Sequence, residues 1–123
     1  MRRVSAGRDG ESRAAAFLEA SGFKIIARNA RSRYGEVDLV ALEDQTIVFI
    51  EVKTWSVYTF DSLSYGISPG KQRRIIETAK YFLSVHREYN SMAIRFDVVF
   101  ISSAAMTDPG KIIHLRAAFM ESL

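Results

Sequence analysis

No cysteine occurs in this 123-residue chain. That excludes a disulfide scaffold, a thiolate metal site and a cysteine nucleophile, and it fits a reducing cytoplasm. Only two prolines are present, and no Pro/Ser-rich linker, repeat or low-complexity tract interrupts the chain. One continuous domain over residues 1–123 is therefore expected. Long apolar runs are missing too: Ala14–Leu18 and Ile47–Ile50 fall far short of the ~20 residues that a membrane span needs. Met1-Arg2-Arg3 is followed by no apolar h-region, so it does not read as a signal peptide. Gly66-x-x-x-Gly70-Lys71 lacks the spacing of a phosphate-binding P-loop. Ser64, Ser68 and Ser84 sit in no nucleophile motif, and His86 and His114 are isolated, without metal-ligand spacing. The expectation is a cytoplasmic protein with no membrane partner.

What the chain does have is ample apolar material and unevenly placed charge. Hydrophobic residues make up 48% and charged residues 25%, enough for a core without staples and ordinary for a globular chain. The net charge of +3 hides a pattern. Residues 1–33 carry eight basic and three acidic side chains, residues 36–61 one basic and six acidic, and residues 71–87 five basic and one acidic. An acidic middle between basic arms suits a carboxylate site whose flanks grip a polyanion. The plainer reading is that Lys and Arg decorate exposed helix faces.

The pattern of residues predicts the order α-β-β-β-α-β-β. Gly7 to Ser21 reads as a helix ended by Gly22, with Glu11, Ala14, Ala15 and Leu18 on one face. Strands are expected over Phe23–Ala27, Glu36–Leu42 and Thr46–Thr54, the last two joined as a hairpin by Glu43-Asp44-Gln45. Thr59–Gly70 reads as a loop and Lys71–Val85 as a helix with apolar positions Ile75, Ala79, Phe82 and Leu83. Ala93–Ser102 and Lys111–Leu115 read as strands, with a terminal helical turn from Ala117. A meander followed by a helical crossover gives a mixed sheet with helices packed on it.

Two charges stand where a core strand should be apolar. Asp38 lies inside EVDLVAL and Glu51 inside IVFIEV, although a buried strand charge costs several kcal/mol unless paired or ligated. Alternation puts Glu51 and Lys53 on one face, and the short connection brings Asp38 back alongside them. Mg²⁺ prefers oxygen ligands, typically one or two carboxylates plus water and phosphate oxygens. Asp38, Glu51 and the Val52 carbonyl form a suitable set, with Lys53 placed to position a water and offset developing charge. The alternative is a structural Glu51–Lys53 ion pair with Asp38 at a strand end. Asp97, between Phe96 and Val98, is a candidate supporting acid behind the site, or a partner for Arg95 or for a helix terminus, and is given no catalytic role.

Asp38 followed by Glu51-Val52-Lys53 resembles the D…(D/E)xK signature of the restriction-endonuclease-like superfamily, and the element order resembles its αβββαβ core. Over nearly the whole chain the sequence resembles the small bacterial YraN-like proteins, which are compared with archaeal Holliday junction resolvases. Gly7-x-x-Gly10-Glu11, Arg28-Asn29, Gly35-Glu36-Val37-Asp38-Leu39-Val40-Ala41, Phe49-Ile50-Glu51-Val52-Lys53-Thr54, Lys71-Gln72 and Arg95-Phe96-Asp97-Val98-Val99 carry that likeness. The resemblance implies an α/β fold of restriction-endonuclease type and a catalytic core of Asp38, Glu51 and Lys53. Glu11 would be an accessory acid, and Lys71 and Gln72 would approach the site. Two departures stand out: Trp55 follows EVKT where the family usually has Arg, and Ala117-Ala118-Phe119 stands where Asn-Ala-Phe is often found. Trp55 removes a phosphate contact and adds a ring for base stacking.

Three functions follow from these readings. The leading one is a nuclease dependent on Mg²⁺ or Mn²⁺ acting on DNA, branched or single-stranded; cutting a junction needs two sites, which a homodimer would supply. The second is a nucleic-acid-binding module of the same fold with little or no turnover, acting in recombination, repair or DNA uptake. The third is an interaction protein whose carboxylates are structural. Arg2, Arg3, Arg8, Arg28, Arg31, Arg33, Lys71, Arg73 and Arg74 are the candidate phosphate contacts. Tyr58, Phe60 and Tyr65 are candidates to stack on bases or to cap the core.

Overall fold

The computed structural model describes residues 2–55, 67–102 and 111–121, the side chains of 2–9, 55 and 102 excepted. Tyr58, Phe60, Ser64 and Tyr65, and the side chains of Arg2, Arg3, Arg8 and Trp55, lie outside the described residues. Among the described residues the elements run α1 (Arg2–Ala20), β1 (Lys24–Ser32), β2 (Gly35–Glu43), β3 (Thr46–Trp55), α2 (Pro69–Val85), β4 (Ala93–Ser102) and β5 (Ile112–Phe119), with a 3-10 turn at Arg87–Tyr89. The five strands form one mixed sheet in the order β1-β2-β3-β4-β5. All neighbours are antiparallel except β3 and β4, which run parallel because α2 crosses between them.

The run of apolar residues in β3 is explained by cover on both faces. Ile47 and Phe49 belong to the cluster under α2, with Val40, Ile75, Ala79, Phe82, Phe96 and Phe100. Val48 and Ile50 belong to the cluster under α1, with Ala14, Ala15, Leu18, Leu39, Val99 and Ile101. The expected helix face of Ala14, Ala15 and Leu18 is therefore the packed one. Among the described residues, no helix is long and apolar enough to cross a membrane.

Several boundaries differ from the sequence reading. Helix α1 starts at Arg2 rather than Gly7, since a glycine inside a helix costs only ~1 kcal/mol and does not bar it. The end is as read: Gly22 has φ 100°, and the Phe23 amide donates back to the Leu18 carbonyl at 2.9 Å. Strand β1 begins after Phe23 and runs on to Ser32. It tolerates a register shift between Ile25 and Ala27 and an Asn29 with φ 53°, a backbone that Asn accepts better than most residues. Pro69 and Gly70, read as loop, form the first turn of α2; proline suits that position because its missing N–H has no helical partner there. The terminal helical turn from Ala117 is overturned, because Ala117–Phe119 continue β5.

Candidate active site

The β2–β3 ladder opens where the acids stand. Its last paired residues on this side are Leu39 and Ile50, so the next positions, Asp38 and Glu51, face one another beyond it. Asp38 Oδ2 accepts the Val52 amide at 2.7 Å, which replaces a ladder bond by a side-chain bond and fixes the carboxylate. The strict alternation of β2 breaks here as well. Val37 and Val40, three residues apart, both join the cluster under α2. Asn29, with its positive φ, stands in β1 between Arg28, paired with Leu39, and Ala30, paired with Val37. Asn29 thus stands opposite Asp38 in the β1–β2 register.

The second acid is held by a cation from another element. Glu51, 6% exposed, receives the Lys71 ammonium on Oε2 at 2.6 Å. A Glu51–Lys53 pair is accordingly not what the structure forms. Among the described residues Lys53, at the half-buried end of β3, makes no ion pair. Lys71 lies in the first turn of α2, where Ser68 caps the helix by accepting the Lys71 amide at 3.2 Å. Lys71, Arg73 and Arg74 crowd that end, and no acid sits in the first turn. Cations oppose the helix dipole there, so this end of α2 is suited to anions: Glu51 now, and phosphate if one arrives.

Gly35, Glu36, Asp38, Glu51, Lys71 and Arg74 line an open cleft of about 350 Å³. Gly35, at φ 150°, lets the turn lie over Arg74, whose Cβ would be 3.6 Å from any Cβ added there. Burial raises the Asp38 pKa first, the Glu51 charge and a hydrogen bond with Glu51 add to it, and the Val52 amide and Lys71 offset only part, leaving it at about 7. Glu11 on α1 is also raised, by burial and then by the Asp38 charge, while the Asn29 side chain and Arg28 pull the other way. Asp38, Glu51 and Glu11 are therefore brought into one electrostatic neighbourhood. Two carboxylates aimed at one cleft, one of them driven toward protonation, are a donor set that a hard divalent cation satisfies.

The remaining candidates are placed unevenly. Arg74 lines the cleft, and Arg28 acts on Glu11. Arg31 is exposed and 3.4 Å from Glu36, and Arg33 lies over the Tyr34 ring at 5.2 Å. Gln72 is turned aside, its Nε2 donating to the Ile67 carbonyl at 2.8 Å. Asp97 is fully buried on β4 and away from this cleft. It takes Arg95 on both oxygens at 2.9 Å, His114 at 2.8 Å and the Ala117 amide at 2.9 Å. His114 is thus a packing residue tied to Asp97. The resemblance had Lys71 approaching the site, as it does; the sequence reading missed that Lys71 and not Lys53 is the partner of Glu51.

Known proteins resemble this chain over most of its length. The model of the uncharacterised protein family UPF0102, the YraN family, matches residues 10–101. A UPF0102 protein of Treponema pallidum is 45% identical over 118 residues, covering 92% of this chain and 90% of its own length. One from Treponema denticola is 44% identical over 123 residues, covering 94% and 95%. A third, from Rhodopseudomonas palustris, is 41% identical over 120 residues, covering 95% and 84%.

Proposed function

Starting from a chain that belongs to the UPF0102 family, a name that carries no activity, we propose that it is a metal-dependent nuclease that hydrolyses DNA phosphodiesters. One observation carries the reading: Asp38 and Glu51 converge on a single cleft beside a basic helix end, and Asp38 is held near a pKa of 7. A purely structural pair of acids has no reason to be kept in mutual repulsion.

Asp38, Glu51 and the Val52 carbonyl would hold Mg²⁺ or Mn²⁺, which supplies polarisation of the scissile phosphate and a more acidic bound water. The chain's own groups do the rest. The Val52 amide orients Asp38. Lys71 holds Glu51 in place. Lys53 orients the attacking water and offsets charge on the phosphate as it grows. Arg74 and the exposed Arg28, Arg31 and Arg33 bind neighbouring phosphates, with Glu11 as an accessory acid. A cytoplasmic protein of this kind would cut branched or single-stranded DNA, as a homodimer where two strands must be cut.

The second reading, a DNA-binding module without turnover, has its own support. Lys71 at 2.6 Å already neutralises Glu51 without any metal. Cleavage assays on linear, single-stranded and four-way DNA with Mg²⁺ decide between the two. Cleavage by the parent that disappears in Asp38→Asn and Lys53→Ala supports the nuclease. DNA binding with no Mg²⁺-dependent product from any of the three substrates supports the binding module. Unchanged turnover in Lys53→Ala would assign the cleavage to something other than this site.

A further inference from the structure

Next to the carboxylate cleft the β1–β2 turn builds a second recess, with a different chemistry. Ser32 Oγ and Thr78 Oγ1 are 2.8 Å apart, a hydrogen bond that pins the turn over the middle of α2. One helical turn toward the N-terminus, Arg74 packs against Gly35 and lines the carboxylate cleft. One turn the other way, Tyr81 joins Tyr34, Arg31, Ser32 and Arg33 around a recess of about 520 Å³. Arg74 and Tyr81 are seven residues apart on one helix, which separates the two hollows by roughly 10 Å along its axis.

The recess residues are unusual for a surface. Tyr34 is 42% and Tyr81 49% exposed, although large rings normally seek cover. The Arg33 guanidinium lies 5.2 Å from the Tyr34 ring centroid, a contact that steadies the ring and keeps a cation at the rim. Arg31 adds a second cation, its side chain 75% exposed. None of these four side chains pairs with Asp38 or Glu51, although Arg31 lies 3.4 Å from Glu36 at the edge of that cleft. Exposed rings between arginines suit unpaired bases, because every base offers a π face and its phosphate offers the charge. Bases in a duplex are stacked on each other and cannot enter such a recess.

We infer that the Tyr34–Tyr81 recess holds an unpaired base of the strand whose phosphodiester lies in the Asp38–Glu51 cleft. The protein thereby selects DNA with a single-stranded stretch beside the bond that it cuts. This rests on the nuclease reading of the neighbouring cleft and adds to it a preference that the cleft alone does not create.

The test uses the full chain at low salt, a short single strand carrying one 2-aminopurine, and a blunt duplex of the same sequence. The paired substitution Tyr34→Ala with Tyr81→Ala should weaken single-strand binding about tenfold and abolish 2-aminopurine quenching. Duplex affinity should change by less than about twofold. Tyr34→Phe with Tyr81→Phe keeps both rings and should restore single-strand binding, which guards against a folding defect in the alanine pair. Single-strand affinity unchanged in the alanine pair, or lost in parallel with duplex affinity, overturns the recess and leaves the cleft untouched. A parent that binds neither DNA overturns the cleft reading and the recess together.

Discussion

Asp38 on β2 and Asp97 on β4 flank the same central strand, yet their pKa values part, up to about 7 and down to about 2. Depth does not explain this. Asp97 is fully buried and Asp38 only partly so, and burial alone raises both. At Asp97 the hydrogen bonds from His114, Arg95 and the Ala117 amide outweigh that penalty. At Asp38 the chief neighbour is another carboxylate, so its charge compounds the penalty. The company a carboxylate keeps decides its charge. Asp97 is a satisfied acid that ties the edge strand β5 to the sheet. Asp38 keeps the Val52 amide but shares its place with a second acid, and a bound cation is the relief proposed for it.

The largest consequence is for stability. Asp97→Ala strips Arg95 and His114 of their shared acceptor and should cost about 3 kcal/mol in urea unfolding. Asp38→Asn should cost nothing in metal-free protein, or stabilise it slightly, since a repulsion is removed. Equal losses in the two variants would erase the distinction between them. The next effect is metal linkage. Mg²⁺ at a hundred times its dissociation constant should stabilise the parent by about 2.7 kcal/mol, seen as a higher melting temperature. Asp97 lies away from the cleft and is not needed for this rise, whereas Asp38→Asn should lose it. A parent whose melting ignores Mg²⁺ and Mn²⁺ would leave the Asp38–Glu51 pair without its proposed relief.

The difference between the two acids was only half readable in the sequence. Asp38 and Glu51 announce themselves because each interrupts an apolar strand, and a short polar connection fixes their register. Asp97 interrupts β4 in the same way, and apart from its neighbour Arg95, read as a candidate partner and found on both its oxygens, local pattern cannot separate it from Asp38. The partners that do so come from far along the chain: Lys71 through the crossover helix, and His114 and Ala117 through β5. The strand at Ala117 shows the same limit. Ala-Ala-Phe has good helix propensity, but the Asp97 carboxylate captures the Ala117 amide with φ 51°. A bulge in the β4–β5 register between Phe96 and Val98 accommodates it. Tertiary hydrogen bonding wins there. Tyr34 and Tyr81 carried no signal as a pair, since the turn and the helix are brought together by tertiary contacts, Ser32 with Thr78 and Gly35 with Arg74.

Titration gives an effect with opposite signs for the two acids. The folded pKa of Asp97 is depressed below its ordinary 3.8. Its contribution is complete above about pH 4 and lost as pH falls toward 2, because the unfolded chain takes up the proton first. The folded pKa of Asp38 is raised from the same 3.8 to about 7. Its contribution is complete below about pH 4 and lost as pH rises toward 7, because the folded chain holds a proton that the unfolded chain has released. Unfolding free energies of metal-free parent and Asp38→Asn should therefore diverge between pH 4 and 7, with the parent falling relative to the variant. Parallel curves through that window would mean that Asp38 is not driven upward. Saturating Mg²⁺ should flatten the divergence, since a bound cation favours the ionised carboxylate.

The smallest expected effect lies one step behind Asp38, at the cap of α2. Ser68 Oγ accepts the Lys71 amide at 3.2 Å, and the Lys71 ammonium in turn holds Glu51 at 2.6 Å. The cap thus anchors the backbone of the residue that keeps the second carboxylate in place. Ser68→Ala should cost about 1 kcal/mol, less than the loss at Asp97, because an exposed cap frays one turn while a buried acid strands its partners. If the cap positions Lys71, Ser68→Ala should also lower Mg²⁺-dependent cleavage severalfold, and Ser68→Thr, which keeps the acceptor, should recover both. An effect of Ser68→Ala on melting alone, with cleavage at parental rate, would show that Glu51 needs no help from the helix end. Lys71 would then be a bystander to the site rather than its counter-ion.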